Sequence, residues 1–421
     1  MNVHANRFPL FDSLRAIAAI SVLLFHAALF RLLHVASPLR PYTAHLDVGV
    51  TIFFMISGFL LYRPFARARL QGEESPHVPA YAWRRFLRIV PAYWVALTAI
   101  ALWLGLPGVF TLHGIPTYYG FLQIYHASTS LGGIAQAWTL CIEISFYAFL
   151  PIWALLMRKV VRGGVRREFV ALAVLWLASL AYKVWALDQI SPNSVFSGPY
   201  LQPLPNFLDQ FAIGMGVAVL SVWLEGRERA PRWVDLLRRH DWIPWVGGAL
   251  AFWVVSTRIG FTGTPFEGST RRMFMGRHEL YSLVALGVLL PALFAVPGKG
   301  VAGRLLATRT LTYLGLVSYA IYLYHYAVVK QLDGWIGQPL KSAPELQMAA
   351  FAVVVLAATT AIASLSYYLV ERPALRLKRL VSPPVRVERG EATEEPINPS
   401  SATPTSTTSA TSAGWRKRGT P

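Results

Sequence analysis

Residues 9–30 read PLFDSLRAIAAISVLLFHAALF. A helix needs about 20 mostly apolar residues to cross a bilayer core of about 30 Å, and this run is long enough. Arg7 is the one basic residue just ahead of it, and the run is too long for a cleavable leader, so it is expected to be a retained helix. Nine similar runs follow, at 47–66, 88–106, 137–157, 168–187, 205–224, 242–260, 279–297, 311–331 and 346–370. Runs 205–224 and 242–260 contain Pro or paired Gly and carry the weakest signal. The chain therefore reads as an all-α, polytopic membrane protein with about ten transmembrane helices.

Composition agrees. Of 421 residues, 54% are hydrophobic and 14% charged, where a soluble domain is nearer a quarter charged. One cysteine, Cys141, excludes a disulfide scaffold. Lys+Arg number 39 and Asp+Glu 21, a net charge of +18. A soluble nucleic-acid binder can be this basic but not this apolar, so no nucleic-acid partner is expected. Residues 381–421 are rich in Ser, Thr and Pro and nearly free of large apolar side chains. They are expected to form a disordered tail, leaving 1–380 as the membrane-embedded domain.

The basic residues give an orientation, because short cytoplasmic loops carry the excess of Lys and Arg. Arg63, Arg67, Arg69, Arg84, Arg85 and Arg88 follow the second run, and Arg158, Lys159, Arg162, Arg166 and Arg167 follow the fourth. Segments 107–136 and 188–204 hold no Lys or Arg. The alternation places both termini in the cytoplasm of a cell with the protein in its inner membrane. One loop disagrees: 261–278 should be external yet holds Arg271, Arg272 and Arg277.

Ionisable residues at membrane depth are candidates for function. Asp12, Arg15 and His26 fall on one face of the first helix, and Arg15 and His26 are roughly 16 Å apart along its axis. An i, i+3 pair of Asp12 and Arg15 offsets its own burial. Two readings stay open here: a catalytic His, or a packed His beside an ion pair that pins a helix end. In the fourth run, Thr139, Glu143, Phe146 and Tyr147 make one stripe, a hydroxylic and aromatic wall for a carboxylate that holds a proton or a His. Arg84, Arg85 and Arg88 open the third run. They suit a polyanionic phosphate group, or they are only the positive-inside signal. His325 in the ninth run is a second histidine toward the outer half. The remaining histidines lack metal-ligand spacing, and no metal site is expected. No P-loop and no Gly-x-Ser-x-Gly elbow is present.

Taken in order, these motifs resemble the acyltransferase 3 family of integral membrane proteins. Phe11-Asp12-Ser13-Leu14-Arg15 with His26 is similar to its Arg-x10-His signature. Phe53 to Leu60, with Ser57 and Gly58, resembles its second-helix motif. Arg84-Arg85, Arg88-Ile89, Pro91 and Tyr93-Trp94 resemble its third-helix entry. Trp138-Thr139-Leu140 with Glu143 and Phe146-Tyr147 resembles its Trp-Ser/Thr-Leu-x-x-Glu element. Gly315, Ser318-Tyr319, Ile321-Tyr322-Leu323 and His325, then Glu371-Arg372-Pro373, complete the pattern over about residues 8–375.

The resemblance implies transfer of an acyl group, usually acetyl from acetyl-CoA, to a hydroxyl of a glycan, glycolipid or macrolide-like acceptor. No permanently bound cofactor is implied; acyl-CoA is a substrate. Carried onto this sequence, it implies His26 as general base or acyl carrier, Glu143 as its orienting or complementary acid, and Asp12 and Arg15 as residues that fix the site. Arg84, Arg85 and Arg88 are implied to hold the CoA phosphates. Some relatives carry a fused extracytoplasmic domain, so a separate extracytoplasmic transferase is a further possible partner. Two alternatives remain: a transporter or flippase, which should show related halves and broken helices, and the acyl-export half of a two-protein system.

Overall fold

The computed structural model describes residues 8–32, 35–160, 164–189, 198–259, 270–337 and 343–381. They lie within one compact unit that ends at Ser382. The tail expected over 381–421 is, from residue 382 on, outside the described residues. Each apolar run contributes one long helix. The ten are α1 Leu10–Leu32, α2 Val48–Gln71, α3 Val78–Leu104, α4 Trp138–Val160, α5 Val165–Asp188, α6 Leu208–Glu225, α7 Ile243–Thr257, α8 Arg271–Phe294, α9 Ser318–Ile336 and α10 Pro344–Ser366.

Eight of these, alone or with their short extensions, are long and apolar enough to cross a membrane. The chain is thus an all-helical, multi-pass membrane protein. Two predicted runs fall short of that measure. α7 has 15 residues, about 22 Å of helix against a core of about 30 Å. α9 is diluted by its tyrosines, His325, Lys330 and Asp333. The run 311–331 is also two helices, Arg309–Leu316 and α9, broken at Val317. At the break, Gly315 lies against the Asp12 carbonyl so closely that a Cβ would overlap it. The Ser318 hydroxyl donates to the Gly315 carbonyl at 2.8 Å.

Two helices start two turns or more before their apolar runs. α3 begins at Val78 rather than 88, with Pro79 in its first turn, where a missing N–H costs nothing. α8 begins at Arg271 rather than 279, and the Thr270 side chain caps it by accepting from the Met273 N–H at 3.3 Å. Apolarity marks only the stretch in lipid, whereas the helix runs on into polar residues. The second case also accounts for the discordant basic loop. Arg271 and Arg277 are helix residues with acid partners: Arg271 pairs with Asp188, and Arg277 with Asp47, which also accepts from the Tyr281 hydroxyl. Arg272 is exposed at the same helix start.

α1 packs against α2, α9, α10 and helix Arg309–Leu316. Its buried Ala16, Ala18, Ala19, Ala27 and Ala28 let those neighbours come close. α2 and α6 cross by a reciprocal glycine contact. A Cβ on Gly58 would overlap the Phe211 carbonyl, and one on Gly214 would overlap the Met55 carbonyl. Backbone cannot yield as a side-chain tip can. Gly58→Ala is therefore expected to cost about 1–3 kcal/mol through overpacking, read as a lower thermal midpoint of the detergent-purified protein; an unchanged midpoint would refute it.

Several charges buried away from the cavity are paired, as a low-dielectric interior demands. The fully buried Lys183 pairs with the fully buried Asp209, which also accepts from Ser179 Oγ at 3.1 Å. Glu168, also fully buried, accepts from Arg69 at 2.6 Å and from Tyr62 at 2.7 Å. Arg31 reaches Asp333 at 3.1 Å. Arg63 and Arg67 both pair with Glu225.

Candidate active site

A cavity opens among α1, α2, α3, α4 and α9. Arg15, Ser57, Arg85, Arg88, Glu143, Tyr147 and Tyr319 line its polar side, and Val50, Phe53, Phe54, Ile56, Leu60 and Leu61 its apolar side. Arg15 is held at 2.6 Å by Asp12, one turn back on α1. Arg85 and Arg88, three apart on α3, share a face. Arg85 lies over the Tyr147 ring at 5.9 Å and Arg88 over the Tyr319 ring at 5.9 Å. Arg88 also reaches the buried Glu371 at 3.5 Å, and the Tyr319 hydroxyl donates to the Ile89 carbonyl at 2.8 Å.

Arg84 does not line the cavity. It sits at the same end of α3, half-buried. Lys378, beyond the last membrane helix, completes the basic cluster. Its ammonium is pushed below the ordinary lysine range, first by burial and then by repulsion from Arg88, Arg85 and Arg84. A cluster in which cations repel one another gains from a polyanion.

Glu143 accepts from Ser57 Oγ at 2.7 Å and from Tyr147 Oη at 2.6 Å. Both bonds fall on Oε1, which leaves Oε2 as the oxygen available to the cavity. Ser57 stands one residue from the Gly58 contact, so the α2–α6 crossing fixes its position.

Tyr322 also lines the cavity. Its hydroxyl is 2.7 Å from Thr139 Oγ1 and donates to the Gln136 carbonyl at 3.1 Å. Its ring meets that of Phe53 edge to face at 5.7 Å and that of His325 at 5.6 Å. His26 is not among the cavity-lining residues. Its ring is 5.0 Å from that of His325, which in turn contacts Tyr322, and 5.0 Å from that of Tyr326. The structure thus brings Arg15, Arg85, Arg88 and Glu143 together and pairs His26 with His325. It does not bring Glu143 to His26.

The supporting motif residues hold the frame. The buried Tyr93 hydroxyl donates to the Tyr118 carbonyl at 2.9 Å. Trp138 packs on Phe207 at 5.7 Å. Arg372 is exposed, over the Tyr368 ring at 5.7 Å. Gln136 was not singled out in the sequence, yet its side-chain amide donates to the Tyr322 and Leu323 carbonyls at 3.1 and 2.9 Å. Asp209 was also missed, although an acid in an apolar run facing a run with a lone Lys was a readable signal.

Comparison with known proteins gives a consistent result. A family profile described as an acyltransferase domain matches residues 9–368. Nodulation protein 10 of Rhizobium leguminosarum bv. viciae is 27% identical over 89% of this chain and 94% of its own length. Acyltransferase MdmB of Streptomyces mycarofaciens is 24% identical over 88% of this chain and 92% of its own. Peptidoglycan O-acetyltransferase OatA of Listeria monocytogenes is 22% identical over 87% of this chain, which spans 55% of that longer protein. No solved structure matches the chain at comparable significance. With motifs, all-helical membrane architecture and near-full-length profile in agreement, the chain belongs to the acyltransferase 3 family and is a multi-pass membrane acyltransferase.

Proposed function

We propose that the protein transfers an acyl group, acetyl in the first instance, from acyl-CoA to a hydroxyl of a glycan, glycolipid or macrolide-like acceptor of the cell envelope. The observation that carries the reading is one cavity lined by three arginines and a carboxylate, with Tyr322 of its wall in ring contact with one of a pair of histidines. The name of OatA, a peptidoglycan O-acetyltransferase, supports a hydroxyl-bearing acceptor, and that of MdmB an acyl transfer. The basic end is assigned to the cytoplasmic face of the inner membrane, with both termini on that side.

In this reading the CoA phosphates rest on Arg85, Arg88 and the neighbouring Arg84 and Lys378, and the pantetheine arm enters beside Arg15. His26 takes the proton of the acceptor hydroxyl on Nε2 as the hydroxyl oxygen bonds to the acyl carbon. The C–S bond breaks, and the leaving thiolate takes that proton back as free CoA thiol. Glu143 acts from the cavity wall on the donor side. Tyr322 stands between thioester and base, so its ring turns aside for transfer.

The test is purified protein in nanodiscs with labelled acetyl-CoA, using as acceptor source membranes of the parent organism lacking this protein. Label should appear in the membranes with release of one thiol per acyl group. No acceptor-dependent release would overturn the proposal. Arg88→Ala and Arg85→Ala should each raise KM for acetyl-CoA about tenfold with kcat near wild type, since phosphate contacts far from the thioester bind ground state and transition state alike. An unchanged KM would remove them from the donor site.

A further inference from the structure

Two histidines nearly 300 residues apart meet where α1 faces α9. His325 is fully buried. Its Nδ1 is 2.8 Å from the Tyr322 carbonyl oxygen and 3.2 Å from that of Ile321. A carbonyl only accepts, so Nδ1 carries the hydrogen and the Nε2 of the neutral ring is bare. That Nε2 is 3.1 Å from Nδ1 of His26. Nδ1 of His26 is also 2.9 Å from the Val22 carbonyl. Both neighbours of His26 Nδ1 are acceptors, so the hydrogen sits there too. The Nε2 of His26 is then the bare, basic nitrogen.

We propose that His325 is a positioning residue for acyl transfer: its Nε2 holds the Nδ1 proton of His26 and so presents Nε2 of His26 to the acceptor hydroxyl. The inference rests on His26 being the base of the proposed reaction.

The Val22 carbonyl alone does not suffice. It belongs to the turn below His26 and already serves the helix ladder. His325 approaches from another helix and fixes the ring from outside. Its Nδ1 is tied to two backbone carbonyls, so its own ring cannot turn to offer a hydrogen. When His26 Nε2 takes the hydroxyl proton, the ring becomes cationic. The Nδ1–H to Nε2 bond then becomes charge-assisted, and it strengthens as the charge develops. This is the third-group role that carboxylates play beside many catalytic histidines. Among the described residues no carboxylate is bonded to His26; Glu143 is engaged by Ser57 and Tyr147.

The test compares His325→Ala, His325→Gln and His26→Ala in the full chain in nanodiscs, with acetyl-CoA and acceptor membranes. The Gln side-chain oxygen replaces the accepting Nε2, whereas Ala removes it. His325→Ala should lower kcat about 10²-fold with KM for acetyl-CoA within about twofold. His325→Gln should recover most of that loss. ¹⁵N spectra of histidine-labelled protein should show one His26 tautomer in wild type and the Gln variant, and a mixture in the Ala variant. The double variant His26→Ala/His325→Ala should be no slower than His26→Ala. A near-wild-type kcat for His325→Ala, or a Gln variant as slow as Ala, overturns the inference. If His26→Ala itself turns over normally, the underlying base assignment fails instead, which the same experiment distinguishes.

Discussion

His26→Ala is expected to lower kcat by about 10²- to 10⁴-fold, the range supplied by a positioned general base, or roughly 3–5 kcal/mol of barrier. The substitution removes a ring that touches Phe25, His325 and Tyr326 and leaves α1 with the best helix former. Folding should therefore survive: the same yield and thermal midpoint in detergent, with acetyl transfer to acceptor membranes gone. KM for acetyl-CoA should stay near wild type, because His26 is not among the residues that line the cavity proposed to receive the donor. Turnover like that of wild type would remove His26 from the chemistry.

The second large effect is on stability. Asp209→Ala strands the Lys183 ammonium, fully buried, with Glu279 at 4.0 Å as the one acid left to it among the described residues. Breaking a buried pair by removing one partner costs about 3–5 kcal/mol, because an uncompensated charge remains in low dielectric. Removing both charges is far milder, so Lys183→Met/Asp209→Ala should melt well above Asp209→Ala. The double-mutant cycle in thermal midpoints reads this coupling directly. Equal midpoints for the single variant and wild type would mean that the pair contributes nothing. The site lies on α5 and α6, and the cavity is built mainly by other helices, so folded protein should retain its turnover.

Much of this was legible in the sequence because lipid imposes so plain a rule. Every apolar run is helical, with 311–331 split at Val317, and Asp12 and Arg15 pair as their spacing predicts. Arg85, Arg88 and Glu143 share a cavity with Arg15, although they come from two other segments. The sequence pattern was poorer at depth and at partnership. α3 and α8 extend past their apolar runs because helix propensity does not stop where lipid does. Arg277 read as a misplaced loop charge until Asp47, some 230 residues away, proved to be its partner. Pairing His26 with His325 rather than Glu143 depends on the rotation of α9 about its axis after the break at Val317. No periodicity along one helix encodes that rotation relative to another.

The Tyr322 wall has a consequence for fidelity. A thioester is activated against every nucleophile, and water is the most abundant of them. Tyr322 is clamped by Thr139 and Gln136, so on the proposed route the donor and the base occupy separate compartments at rest. An enzyme with an empty acceptor subsite would then spill little acetyl-CoA to hydrolysis. The cell's donor pool would be drawn down only in step with the supply of acceptor.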